Sequence, residues 1–318
     1  MSGQQRWKIL LAAGATVLAL ASCGGGGGAD TTEPSPPTPA PTPAPPLDPG
    51  APTLTNNIAT DGRNWINFRR GQIGVPALTQ NARLDTAAQG HSDWQRRNNK
   101  VSHEQTAGTP GFTGVTMRDR LTAAGYTFSG SYAYGEVIAA TSNKDGFAMV
   151  DELVTAIYHR FVIFEPVFKE VGTGAATTSS NYSYLTANMA ANNGYGPGVG
   201  GFVNWPYSNQ TGVTRNFFSD TEAPDPIPNA NEVGYPISVH ANITSVLTVQ
   251  TFTVRPQGGA LLPVALIAKG VDTRPETPTS AAAIIPLQAL AAATTYEVSF
   301  VGSLNGNAVS RNWSFTTK

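Results

Sequence analysis

The side chains of this 318-residue chain best suited to metal binding, proton transfer or nucleophilic attack are His91, His103, His159, His240 and a single cysteine, Cys23. An imidazole with an ordinary pKa near 6.5 can accept or donate a proton at neutral pH, and its neutral form binds divalent metals. The spacing of these residues completes no standard catalytic signature. His103-Glu104 is followed by Ala107 where a His-Glu-x-x-His zinc helix needs its second histidine. Ser102 adjoins His103, but successive side chains on an extended segment point to opposite faces, so adjacency makes no nucleophile–base pair. There is no Gly-x-Ser-x-Gly elbow, phosphate loop or dinucleotide fingerprint. His91 lies four residues after Ala87 on a helical stripe and reads as a core or edge histidine. His240 falls in a strand-like run and is assigned no chemistry.

Around these residues the chain divides by composition. With 20 basic and 21 acidic side chains it lacks the basic excess of a nucleic-acid binder, and one cysteine excludes an intramolecular disulfide framework. Residues 1–23 follow a signal-peptide plan, with Arg6 and Lys8 ahead of the apolar run Ile9–Leu20. That run is shorter than the roughly 20 residues a membrane-spanning helix needs. It ends in Leu20-Ala21-Ser22-Cys23, which resembles the bacterial lipobox, and the resemblance implies a lipid on Cys23. Gly24, rather than aspartate, follows; by resemblance to Gram-negative sorting rules this implies the outer membrane, with the body facing the periplasm or the cell surface. Residues 24–55, with five glycines and a Thr/Pro/Ala tract through Pro46, read as a flexible and then extended stalk that cannot bury a core.

Residues 56–191 carry mixed helical and strand patterns. Helices are expected over Ala59–Arg70, along the Leu84/Ala87/Ala88/His91/Trp94 stripe, and from Met117 to a stop at Gly125. A further helix is expected through Val150, Leu153, Val154 and Ile157 to His159, with strands over Phe168–Gly174 and Tyr182–Met189. Residues 192–234, rich in glycine and then in proline and aspartate, read as a linker. Residues 235–318 show strand runs at Ile237–His240, Ser245–Val254, Leu261–Ala268, Tyr296–Val301 and Ala308–Phe315, the last two joined by the hairpin signal Asn305-Gly306.

The order Asn67-Phe68-Arg69-Arg70, Gly74-Val75-Pro76-Ala77-Leu78, Asn81-Ala82-Arg83-Leu84, Ser102-His103-Glu104, Arg120-Leu121, Gly135-Glu136-Val137-Ile138 and Tyr158-His159-Arg160 resembles the CAP superfamily: cysteine-rich secretory proteins, antigen 5 and pathogenesis-related 1. It is most similar to the bacterial extracellular SCP-like branch. Val137 stands where the family usually has asparagine. The resemblance implies an α+β fold, an α-β-α sandwich with a central cleft lined by His103, Glu136 and His159. It also implies a second glutamate about three residues before the second histidine, where this chain has Ala156. Glu152 is nearby on a different helical phase. His103 and His159 are the metal-ligand candidates, for zinc or another divalent cation. The C-terminal residues, ending Trp313-Ser314-Phe315-Thr316-Thr317, resemble a bacterial immunoglobulin-like module, which implies a small all-β sandwich.

Together these readings give a lipid-anchored envelope protein that binds a ligand or partner (lipid, sterol, glycan or protein, and no nucleic acid) through a His/Glu cleft, with or without a divalent metal. The alternatives are a metal-assisted, protease-like hydrolase using the same cleft and a structural or adhesive surface protein. The lack of a nucleophile and of a complete zinc-protease motif weighs against an enzyme. Tyr126, Phe128, Tyr132 and Tyr134 are expected mainly in the core, with any exposed remainder forming a cleft rim.

Overall fold

The structure is a computed structural model that describes residues 50–318. Cys23, the signal peptide and most of the stalk lie outside the described residues. The first half contains α1 (Ile58–Gln72), β1 (Thr79–Gln80), α2 (Ala82–Asn98), α3 (Met117–Ala123), β2 (Ala133–Thr141), α4 (Gly146–Thr155), α5 (Ile157–Ile163), β3 (Glu170–Thr177) and β4 (Ser183–Ala191). Local chemistry sets several helix ends. The Asn57 side chain accepts from the Thr60 amide to start α1, and Thr116 and Asp119 form a reciprocal capping box at α3. Gly125 follows α3 at φ +80°, the left-handed conformation expected of a helix stop.

The strands form a sheet in the order β1-β3-β4-β2. Alternation along β3 places helices on both of its faces. A Cβ on Gly172 or Gly174 would fall 2.1 Å from backbone atoms of α2, whereas the intervening Thr173 hydroxyl donates to the Ala59 carbonyl of α1 at 2.8 Å. This is the expected α-β-α sandwich, with β2 at one edge of its sheet. The aromatic group near β2 packs as core: Tyr126 and Tyr134 are buried with Leu84, Met117 and Leu121, and Phe128 and Tyr132 cover them partly buried.

The helix expected to run continuously to His159 is broken. Ala156 adopts φ −70°, ψ 120°, so α4 ends before it and α5 begins after it, with His159 in the first turn of α5. The Gly135–Ile138 motif lies within strand β2.

Residues 192–234, expected as a linker, instead carry β5 (Phe202–Trp205), β6 (Gln210–Val213), β7 (Asn216–Phe218) and β8 (Glu232–Gly234). The remaining strands are β9 (Ile237–Ala241), β10 (Leu247–Pro256), β11 (Val264–Ala268), β12 (Ala281–Pro286), β13 (Thr295–Leu304) and β14 (Asn307–Thr317). They build two four-stranded sheets, β10-β13-β14-β6 and β11-β12-β9-β5, so β5 and β6 belong to the all-β half itself. Phe202 of one sheet meets Phe300 of the other edge-on, with ring centres 5.3 Å apart. Asn305 and Gly306 turn β13 into β14 with positive φ at both positions, as the hairpin signal requires.

The two halves share a packed boundary. Phe161 and Phe164 of the first half contact His240 of β9, and Phe164 also meets Trp205 of β5. One oxygen of the Glu165 carboxyl group, Oε1, accepts from the Val167 amide and, across the boundary, from the Ile243 amide at 2.9 Å. Burial pushes Glu165 up to about 8 from its ordinary 4.5. Between those values the unfolded chain releases a proton that the folded one retains, so this group's contribution to stability is lost as pH rises across that window. Glu165→Gln is expected to remove the loss: its melting temperature should gain on that of the wild type from pH 5 to pH 8. Parallel pH profiles of the two proteins would refute this assignment.

Candidate functional site

The site lies at the β2 edge of the first sheet. Glu136, on β2, is 2% exposed and ionised. Burial alone would raise its pKa, but Arg120, His91 and His103 together outweigh burial and hold it well below the usual carboxylate range. Arg120, on the inward face of α3, is its principal partner: Nη2 donates to both carboxylate oxygens at 2.8 and 2.7 Å, and Nη1 donates to the His103 carbonyl at 2.8 Å. With its amide nitrogen toward Glu136, Asn188 of β4 adds a donor to Oε2 at 3.0 Å.

The loop after α2 delivers His103, whose Nδ1 lies 2.8 Å from Glu136 Oε1. An ionised carboxylate can only accept, so Nδ1 carries the proton. Burial depresses His103 further than Glu136 can raise it, so the contact joins a neutral imidazole to a carboxylate. Nε2 therefore holds a lone pair, and it is buried with no hydrogen-bond partner. His91 supports the loop. Its Nε2 donates to the Ser102 carbonyl at 2.8 Å and its Nδ1 accepts from Gln105 at 3.0 Å, while burial lowers its pKa to about 4. Both of its ring nitrogens are used, as expected of a structural histidine. The Ser102 hydroxyl accepts from the Glu104 amide and makes no contact with His103.

His159 is buried within electrostatic reach of His103, but Glu136 is not its carboxylate partner. Nδ1 of His159 donates to Glu222 Oε1 at 3.0 Å. Glu222, from the segment expected to be a linker, also accepts from the amides of Ile157 (2.8 Å), Tyr158 (2.7 Å) and His159 (3.3 Å). It therefore occupies the start of α5, where Ala156 supplies no side-chain cap. Glu152 lies on α4 away from these contacts. Like that of His103, the Nε2 of His159 is buried without a partner. A protonated Nε2 there would leave an unsatisfied buried donor, which favours a lone pair on this nitrogen too.

Thus His103 pairs with Glu136 and His159 with Glu222, and Arg120 and Asn188 complete the surroundings of Glu136. Arg120 was legible as a basic residue within the apolar Met117/Leu121 stripe, and Asn188 as a polar residue in a buried strand. Nothing in the glycine- and proline-rich stretch around Glu222 distinguished it.

Both carboxylates are committed, which limits how well a metal fits. Among the described residues, no three His, Cys, Asp or Glu side chains gather in a metal-holding arrangement. Protein zinc sites commonly use three or four protein ligands; here His103 and His159 would supply two nitrogens and leave the rest to water or a bound molecule. Each imidazole does have the carboxylate partner that orients metal-binding histidines. A groove of about 650 Å³ is lined by Val101, Ala139, Leu153, Ala156, Phe217 and Phe218 among others, and two of its wall residues, Ala156 and Thr221, directly precede Ile157 and Glu222 in the chain.

Residues 64–189 match the family model described as CAP: Cysteine-rich secretory protein family. This segment is a CAP domain. Among solved structures, an extracellular protein containing a SCP domain from Bacillus anthracis is 26% identical, with 46% of this chain and 44% of that one covered and a TM-score of 0.35. An outer surface protein from Borrelia burgdorferi is 14% identical over 41% of this chain and 89% of that one, with a TM-score of 0.35. Venom allergen-like protein 4 from Schistosoma mansoni is 17% identical over 44% and 86%, with a TM-score of 0.26. The chain spans less than half the length of the first of these. A search of curated proteins finds no match. None of the described helices is long and apolar enough to cross a membrane.

Proposed function

We propose that the protein is held in the bacterial outer membrane by a lipid on Cys23 and binds a ligand through the His103/His159 site of its CAP domain. The supporting observation is the pair of buried imidazoles, each with Nδ1 fixed by a carboxylate and Nε2 without a partner. A buried, unpartnered lone pair on each imidazole suits a divalent cation, or a ligand bearing N–H or O–H donors. The groove, largely apolar but carrying Glu152 and several threonines, offers room for the rest of such a ligand. Hydrolysis is less well served, because Glu136 is tied to Arg120 and His103 and is not free to activate water. The all-β half fits a spacer or adhesive module of the immunoglobulin-like kind.

Two experiments test this reading. Protein purified from membranes should carry zinc or another divalent ion near one per chain, or take it up on titration. His103→Ala and His159→Ala should each abolish the uptake. Uptake that persists in the double variant would exclude these imidazoles as the site. Cys23→Ser should move the protein from the membrane to the soluble fraction; retention in the membrane would sink the lipid anchor.

A further inference from the structure

We infer that Glu222 is a positioning residue for His159, so that the all-β half completes a site the CAP domain alone leaves unfinished. This rests on the proposed binding role of the imidazole pair and assigns the second half a part in it. Three consecutive residues of α5 are held from outside the CAP domain. Tyr158 donates through its hydroxyl to Asp272 at 2.9 Å, His159 donates through Nδ1 to Glu222, and Arg160 donates to the Pro236 carbonyl at 2.6 Å and to Ser238 at 3.1 Å. Glu222 takes three amide donors as well as the imidazole, and it is 1% exposed. Its own backbone is fixed: the Glu222 amide donates to Ser219, and Ser219 is tied to Ala230 and Asn231.

These contacts give Glu222 two separable duties. As a helix cap it satisfies amides that Ala156 cannot reach. As the Nδ1 acceptor it fixes the ring and keeps the lone pair on Nε2. A merely structural role needs the first duty alone.

The test uses the full chain with ¹⁵N-labelled histidine and compares wild type, Glu222→Ala and Glu222→Ala/Ala156→Asp. An aspartate at position 156 is an N-cap residue able to accept from the Tyr158 and His159 amides, but not to serve Nδ1. The double variant should therefore recover most of the melting temperature lost by Glu222→Ala. Its His159 resonances should nonetheless shift from a single Nδ1–H tautomer to a mixture containing Nε2–H, with those of His103 unchanged. Zinc affinity should fall by about tenfold or more, the usual effect of losing such a partner. A His159 that stays wholly Nδ1–H in the double variant would overturn the inference and leave Glu222 as a cap. If the double variant does not fold, Glu222→Gln serves instead: loss of charge should move the His159 Nδ1 proton upfield, and an unmoved resonance would overturn the inference. A wild type that binds no zinc would sink the metal reading while leaving the tautomer result able to decide the role of Glu222.

Discussion

Arg120→Leu is expected to destabilise the protein by about 3–5 kcal/mol, the range for breaking a buried ion pair by removing one partner. The magnitude follows from what is left behind. Glu136 is 2% exposed, and Arg120 is the strongest favourable influence on its charge. Without the guanidinium, the carboxylate must either stay charged in a dry site or take up a proton and give up its role as acceptor for His103. The His103 carbonyl loses a donor in the same step. Replacing both Arg120 and Glu136 by methionine should cost much less than either single change, because two apolar side chains of similar volume leave no unpaired charge. Urea unfolding of the two single variants and the double measures this directly. A loss below about 1 kcal/mol for Arg120→Leu would mean that the pair is solvated and that the site is not the dry one described.

Gly174→Ala should cost about 3 kcal/mol or more, at or beyond the upper end of ordinary overpacking. Its Cβ would lie 2.1 Å from the Gln89 nitrogen and 2.3 Å from the Gln89 Cα, so the backbone of α2 must retreat from β3. The effect reaches the site, because α2 carries His91, which supports the His103 loop. Gly71→Ala is the control. A Cβ at Gly71, in the last turns of α1, meets nothing within 4 Å, so alanine there should be neutral or stabilising by up to about 1 kcal/mol. Thermal unfolding of both variants decides the matter, and equal melting temperatures would contradict the close α2–β3 contact.

What could be read from the sequence, and what could not, follows from the same packing. The periodic stripes of α1 to α3 were visible because each of these helices has one buried face and one exposed face. Asn305-Gly306 was visible because its turn demands positive φ at two positions. Strand β12 was not expected. Its Ala281–Ile285 run is buried throughout and lacks the alternation of a half-exposed strand, because its sheet lies between its partner sheet and the CAP domain. The break at Ala156 was hidden because the apolar spacing continues across it; the acceptor that stabilises the new helix start, Glu222, lies more than sixty residues away. In the site, His103, Glu136 and His159 were legible through their resemblance to a known pattern. The departure at Ala156 was legible too, but its compensation was not, because the compensating contact comes from the fold.

The most direct test of the site is a ¹⁵N spectrum of histidine-labelled wild-type protein at neutral pH, recorded before and after zinc is added. His103 and His159 are expected to carry their protons on Nδ1, and zinc should shift both Nε2 resonances together while leaving His91 and His240 unmoved. An Nε2–H tautomer at either histidine, or zinc shifts confined to other residues, would contradict a site built on two oriented and unpartnered imidazoles.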